Sequence, residues 1–266
     1  IFGELVAAAA RHLLRGNDPR GYAFVEIGAE PGGDGVLTGV SHPFGSTRTV
    51  RVGEPLEFNG PCVVFSNELF DAQPFRRFVF RAGGWRELGV TLAAGTLQTS
   101  EMARSGAGAV PVELPPTAPD GYVIDAPLAA VALIGQIATQ AWTGLFLACD
   151  YGKSWPELAE ACPSGTARAY HRHTQSNELL AQPGEQDLTC HVCWDWLAAA
   201  LSRHRFDGVQ LESQEAFWIR HAADYIARAS VADAGRFSQR KLSLLQLLHP
   251  AHLGQKFQVL HAWRSP

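Results

Sequence analysis

The stretch Val63-Val64-Phe65-Ser66-Asn67-Glu68-Leu69-Phe70-Asp71-Ala72-Gln73-Pro74 holds the residues best placed for chemistry. Apolar, β-prone residues run into an Asn–Glu pair, and a second carboxylate follows three positions after the Glu. A buried strand that ends this way delivers an amide and a carboxylate to the carboxyl edge of a sheet, where open α/β folds bind ligands. Neighbouring carboxylates there are what a guanidinium would need, because they orient it bidentately. Glu68 is the first choice for that role and Asp71 the second. The competing reading places Asn67, Glu68 and Asp71 at the start of a following helix, where capping and dipole compensation are worth about 1 kcal/mol.

A second constellation is the loop Glu26-Ile27-Gly28-Ala29-Glu30-Pro31-Gly32-Gly33-Asp34-Gly35. Glycines after a first strand let the backbone approach a nucleotide-type ligand closely, although glycine-rich loops are common in any fold. Glu26, Gly28, Gly32, Gly33 and Gly35, with Asn67, form the expected cofactor-binding set. Glu30 and Asp34 add negative charge, which suits a sulfonium better than a pyrophosphate. A valine at position 28 is expected to abolish cofactor binding and leave the fold largely intact.

A third lies in 165–193. Asp187-Leu188-Thr189 is placed to cap a helix running to His204, with His191 in its first turn. Cys190-x-x-Cys193 with His171, His173 and His191 nearby has enough soft ligands for zinc. There is no second Cys-x-x-Cys, and the pair falls in that first helical turn, so no metal site is expected.

These residues need elements to hold them. Phe2, Leu5, Val6, Ala9, Leu13 and Leu14 share one helical face, and Gly16-Asn17-Asp18-Pro19 stops the helix. Strands are predicted at Tyr22–Ile27, Arg48–Val52, Cys62–Phe65, Leu145–Cys149, Phe206–Leu211 and Lys256–Trp263. A hairpin over Phe78–Phe80 and Trp85–Val90 should turn at Gly83-Gly84. Asp125-Ala126-Pro127 should cap a helix to Trp142, with further helices at Ser213–Ala229 and Gln239–Leu248. Strands alternating with helices predict a single α/β domain over 1–266 with a mostly parallel open sheet. Within it, 1–92 form a cofactor-binding half, 93–120 a surface excursion, and 121–266 the second half of the sheet with a helical excursion near the C-terminus.

The 266 residues are 46% apolar and 18% charged, as in an ordinary globular protein able to bury a core. The formal charge of −4 gives no reason to expect nucleic acid or an anionic membrane as partner. Five scattered cysteines favour a reducing compartment. The longest apolar run, Ala126–Ile134, is under half the roughly 20 residues of a membrane span, and no signal peptide is expected at the N-terminus. The chain opens on Ile1 inside a helical pattern, so upstream sequence is expected to be missing.

Asn67–Pro74 closely resembles the "NE-LLDA-P" signature of the MidA family, class I S-adenosylmethionine (SAM)-dependent methyltransferases. The run Gly165-Thr-Ala-Arg168-Ala-Tyr170-His171-Arg172-His173, continued by Pro183-Gly184 and Asp187-Leu188-Thr189-Cys190-His191-Val192, is similar to a second family string. Cys193 replaces the Asp that follows His-Val there. Asp150-Tyr151-Gly152 and Leu253–Leu260 are similar to two more. The resemblance implies a Rossmann-like fold, SAM as cofactor, and methylation of an arginine on a partner protein, of the type that assists respiratory complex I assembly. It adds Asp187 and His191 to Asn67, Glu68 and Asp71 as site residues. It also implies bacterial cytoplasm or mitochondrial matrix as the location. A degenerate, non-catalytic relative that binds a protein partner is the alternative.

The chain departs from the family in the cofactor half. Ala29-Glu30 replaces the family's Pro-Gly. Only 33 residues, Gly28 to Gly60, precede the next central strand, against roughly 45 before loops for a full doubly wound run. At least one β–α unit is therefore expected to be missing, and Glu54 is the nearest candidate for the acid that would hold a ribose.

Overall fold

A computed structural model describes residues 1–30, 32–102, 114–172, 174–232, 235 and 238–266. Pro31, His173 and residues 103–113 of the expected surface excursion lie outside the described residues. In chain order the helices are α1 (Phe2–Leu13), α2 (Leu128–Thr139), α3 (Trp155–Glu160), α4 (Trp194–Arg203), α5 (Gln214–His221), α6 (Ala223–Ala232) and α7 (Gln239–Leu248). The first eight strands are β1 (Ala23–Ala29), β2 (Ser46–Arg51), β3 (Gly60–Asn67), β4 (Arg76–Arg81), β5 (Gly84–Ala93), β6 (Thr96–Glu101), β7 (Val123–Ala126) and β8 (Trp142–Asp150). The remainder are β9 (Gly152–Lys153), β10 (Arg168–His171), β11 (Thr174–Ser176), β12 (Asp187–Thr189), β13 (Val192–Cys193), β14 (Asp207–Ser213) and β15 (Gln258–Arg264). The chain divides into two compact units.

The first unit comprises residues 1–69, 134–151 and 198–266. Its six-stranded sheet runs β14-β15-β8-β3-β1-β2. β2, β1, β3 and β8 are mutually parallel, and β15 runs antiparallel to both β8 and β14. Central strands covered on both faces must be apolar throughout. Cys62–Ser66 of β3 and Leu145–Asp150 of β8 are indeed buried without interruption. The apolar face of α1 joins Phe24, Phe65, Phe217 and Trp218 in one core. Arg15 and Gly16, at φ 53° and 87°, end that helix. Residues 30–45 and 52–59, on either side of β2, contain no helix among those described, so the β–α unit expected to be missing is missing.

The second unit comprises residues 70–133 and 152–197. Its main sheet, β6-β5-β4-β7, is antiparallel throughout, and β11-β10-β12 form a smaller one. Phe80, Tyr122 and Ile124 make its small core, with Trp85 and Trp155 packed against it. Ala82-Gly83 and Ala94-Gly95, all at positive φ, make the two-residue hairpin turns that match strand twist.

Several sequence expectations are corrected. Asp125 lies inside β7 and caps no helix, and α2 opens two residues later. β6 occupies part of the expected excursion. Asp187–Thr189 is a strand, and the helix expected there begins only at Trp194. Ser213–Ala229 is two helices, the first capped by Ser213, whose hydroxyl accepts the Ala216 N–H.

Candidate functional site

In the first unit, β1, β3 and β8 end in one row. Register pairs Ile27 with Ser66 and Asn67 with Cys149, which aligns Gly28, Asn67 and Asp150 along the carboxyl edge. Glu68 follows Asn67 at φ 47° and is exposed. Its backbone N–H donates to Cys149 O at 2.9 Å, and Asn67 Nδ2 donates to its Oε1 at 3.3 Å. Asp150 is fully buried, and its Oδ1 accepts the Tyr151 N–H at 2.8 Å. Burial first, then the Asp150 and Glu68 carboxylates, push the Cys149 thiol up, so both carboxylates lie near that strand end. No helix follows Glu68; the chain turns and enters β4 at Arg76. The capping account of Asn67, Glu68 and Asp71 thus has no helix to act on.

The glycine loop is arranged differently from expectation. Gly28 has φ +87°, and a Cβ there would sit 2.5 Å from Leu69 Cδ1. Its lack of a side chain serves packing, so Gly28→Val cannot leave the fold untouched. Gly35 lies against Glu26 and Thr49, and Glu26 Oε2 accepts the Val36 N–H at 2.7 Å. Burial raises the Glu26 pKa, countered by that hydrogen bond and by Arg51. Glu26 thus fastens the loop to β1. Gly32 has open space where a Cβ would be, and Gly33 donates to Glu30 O in a turn.

The resemblance implies an acid at the end of the second strand to hold a ribose, but β2 ends in Arg51. Its Nη2 donates to Gly33 O at 3.3 Å. Glu54 Oε2 accepts the Arg51 backbone N–H at 2.9 Å and closes the turn after β2. The carboxylates at the edge and the open backbone at Gly32 fit a sulfonium ligand. The ribose side does not fit, because a guanidinium stands where a carboxylate is needed.

In the second unit, Asp71 is buried, and its carbonyl accepts the Cys190 N–H at 3.0 Å. His191 follows, its N–H donating to Thr166 Oγ1 at 3.2 Å. Burial, then the positive charges of Lys153 and Arg168, lower its pKa to about 4, so the imidazole is neutral at pH 7. Asp187 is exposed on β12, opposite Tyr170. Cys190 and Cys193 are buried ahead of α4. Burial pushes the Cys193 thiol up to about 12, although N–H groups of Trp196 and Asp195 face its sulfur.

Sequence reading missed the role of Asp125. Its Oδ2 accepts the Thr166 and Ala167 N–H groups at 2.7 and 2.8 Å, and Arg77 Nη1 lies 3.4 Å from Oδ1. Gly165, at φ +71°, leaves the space, since a Cβ there would overlap the carboxylate. The Gly165-Thr166-Ala167 run was the available signal. It is a carboxylate cradle that also carries the hydroxyl bonded to His191.

Strand order, direction and the ligand edge define a Rossmann-like fold of the SAM-methyltransferase type. A family profile described as "Putative S-adenosyl-L-methionine-dependent methyltransferase" matches residues 48–209, more than half of the chain. The protein belongs to that family. The fold is shared with a crystal structure of an uncharacterized superfamily protein from Burkholderia thailandensis, at TM-score 0.83 and 24% identity over 99% of this chain and 79% of that one. A member of the same superfamily from Burkholderia thailandensis, crystallised with S-adenosyl-homocysteine, gives TM-score 0.79 and 24% identity over 99% and 76%. No curated protein matches this chain.

Proposed function

We propose that the protein is a SAM-dependent methyltransferase acting on an arginine of a partner protein, of the complex I assembly type that the MidA resemblance implies. The observation that carries this reading is Glu68, an exposed carboxylate held at φ 47° on the carboxyl edge beside Asn67 and Asp150. A left-handed backbone costs a non-glycine residue on the order of 1–2 kcal/mol. Strain of this kind collects where function fixes a side chain.

When bound, SAM supplies an electrophilic methyl carbon on a cationic sulfur. The chain's part is positioning and electrostatics. The Glu68 carboxylate accepts N–H groups of the acceptor guanidinium and favours in-line attack by one nitrogen. Asn67 steadies Glu68 through its amide, and the negative edge favours a cationic ligand. Asp71, Asp187 and His191, all in the second unit, are the further residues that the resemblance implies, and His191 is neutral at pH 7.

A second reading is favoured by Arg51 at the end of β2 and the absent β–α unit: a non-catalytic relative that binds a protein partner. Calorimetric titration with SAM and S-adenosyl-homocysteine separates the two. Micromolar binding, with labelled methyl appearing as methylarginine in a cell extract, is the outcome expected of the enzyme. Absence of both gives the lead to the partner-binding reading.

A further inference from the structure

Away from the carboxyl edge, β14, β15 and α5 bring three ligating side chains to one point in the first unit. Glu212 Oε1 lies 3.0 Å from Nε2 of His221 and 3.0 Å from Nε2 of His261. The three ligand atoms all fall within 4.8 Å of one another. All three side chains are 7–8% exposed. The rings of both histidines pack on Phe217 at 4.9 and 5.5 Å, so the point is walled by an aromatic.

We propose that Glu212, His221 and His261 form a binding site for a divalent transition metal of the zinc class, pinning α5 to the β14–β15 pair. Two borderline imidazole nitrogens with one harder carboxylate oxygen are a donor set that zinc accepts, and three protein ligands leave a fourth position for water. Ligand atoms about 2.1 Å from a tetrahedral centre stand roughly 3.4 Å apart, and the two carboxylate–imidazole separations of 3.0 Å are within a few tenths of an ångström of that.

The surroundings are those of a metal centre. His12 Nδ1 lies 3.1 Å from His221 Nδ1. If His221 carries its proton on Nδ1 and donates it to His12, the Nε2 lone pair is free for the ion. Ligating histidines are oriented in this way by a second partner. Arg220 Nη1 meets the other oxygen, Oε2, of Glu212 at 2.5 Å and fixes the carboxylate. His12, Arg220 and His221 also line a cavity of about 850 Å³, which offers an entry path.

Without metal the same atoms make a closed hydrogen-bond network, with each imidazole donating Nε2–H to Glu212. That network is the outcome to be excluded. Chelator-stripped wild-type protein titrated with cobalt(II) is expected to develop visible d–d absorption that saturates at one equivalent and is displaced by zinc. Zinc should raise Tm by several degrees, reversibly with chelator. X-ray absorption at the zinc edge should show a nitrogen and oxygen shell containing two imidazoles. His261→Gln should weaken zinc binding at least ~100-fold, since losing a ligand should cost no less than the roughly 10- to 100-fold typical of losing a partner that only orients one. Absence of saturable cobalt absorption, a sulfur shell, or unchanged affinity in a folded His261→Gln protein would overturn the proposal. Should that variant fail to fold, the wild-type absorption spectra decide alone. None of these readouts depends on methyl transfer.

Discussion

Glu68 carries a strained backbone and an exposed side chain, and these two facts predict opposite effects on stability and turnover. Glu68→Gln keeps size but removes charge; loss of a transition-state contact of about 2–4 kcal/mol would slow methyl transfer roughly 30- to 1000-fold. Its melting temperature should stay within a degree or two of the parent. Glu68→Gly relieves the left-handed backbone and should hold or raise stability while turnover falls. A structural Glu68 would behave the other way, with stability dropping and turnover preserved. Parallel thermal melts and single-turnover assays distinguish the cases. The same scale separates Gly28 from Gly32: both hold a positive φ that strains any side chain, but only Gly28 also packs on Leu69, so a substitution at Gly28 should lower stability more.

At the scale of elements, the hairpin β5–β6 turns on Ala94-Gly95, with Ala94 at φ 50°. Asn is the preferred first residue of such a turn and alanine is not, which is why no hairpin signal is legible there. Ala94→Asn should therefore stabilise the second unit by about 0.5–1 kcal/mol, read as a higher urea midpoint at unchanged slope. The Asp125 cradle supports the reverse prediction. Asp125→Ala strands two buried N–H groups and the Arg77 charge and should cost about 3 kcal/mol. Hydrogen exchange should then rise first in residues 165–170 and β7. Exchange confined to the first unit in that variant would refute the cradle's role.

For the molecule as a whole, acid stability carries the signature of His191. Its folded pKa is near 4 and the ordinary value is 6.5. Above pH 6.5 both folded and unfolded imidazoles are neutral and stability does not depend on this group. As pH falls from 6.5 to 4 the unfolded chain takes up the proton first, so stability falls, and below 4 the loss is complete. The loss should amount to about 3 kcal/mol, and it should largely vanish in His191→Gln. Urea midpoints measured across that window test it; identical profiles for the two proteins would place the buried neutral imidazole elsewhere. Among the described residues no helix is long and apolar enough to cross a membrane.

Periodicity and composition alone were enough for α1, α7, β1, β3, β8, β15 and the hairpin β4–β5, because a buried strand or one-sided helix writes its burial into consecutive residues. The sheet-edge placement of Asn67-Glu68 was legible for the same reason, and so was the absent β–α unit, since chain length bounds the elements it can hold. Tertiary structure decided the rest. Asp125 and Asp187 carry helix-cap chemistry, yet a carboxylate cradle claims one and strand pairing the other. Asn67, Glu68 and Asp71 could also be read as caps, and only the turn of the chain into β4 instead of a helix removes that reading. Arg51 at the end of β2 depends on the register of a strand pair, which one strand's sequence does not contain. Glu212 and His221 lie nine residues apart on consecutive elements, but His261 is 49 residues from Glu212 and meets them only because β15 inserts antiparallel between β8 and β14. Local propensity encodes what a segment buries, whereas the convergence of distant side chains is set by strand order and register.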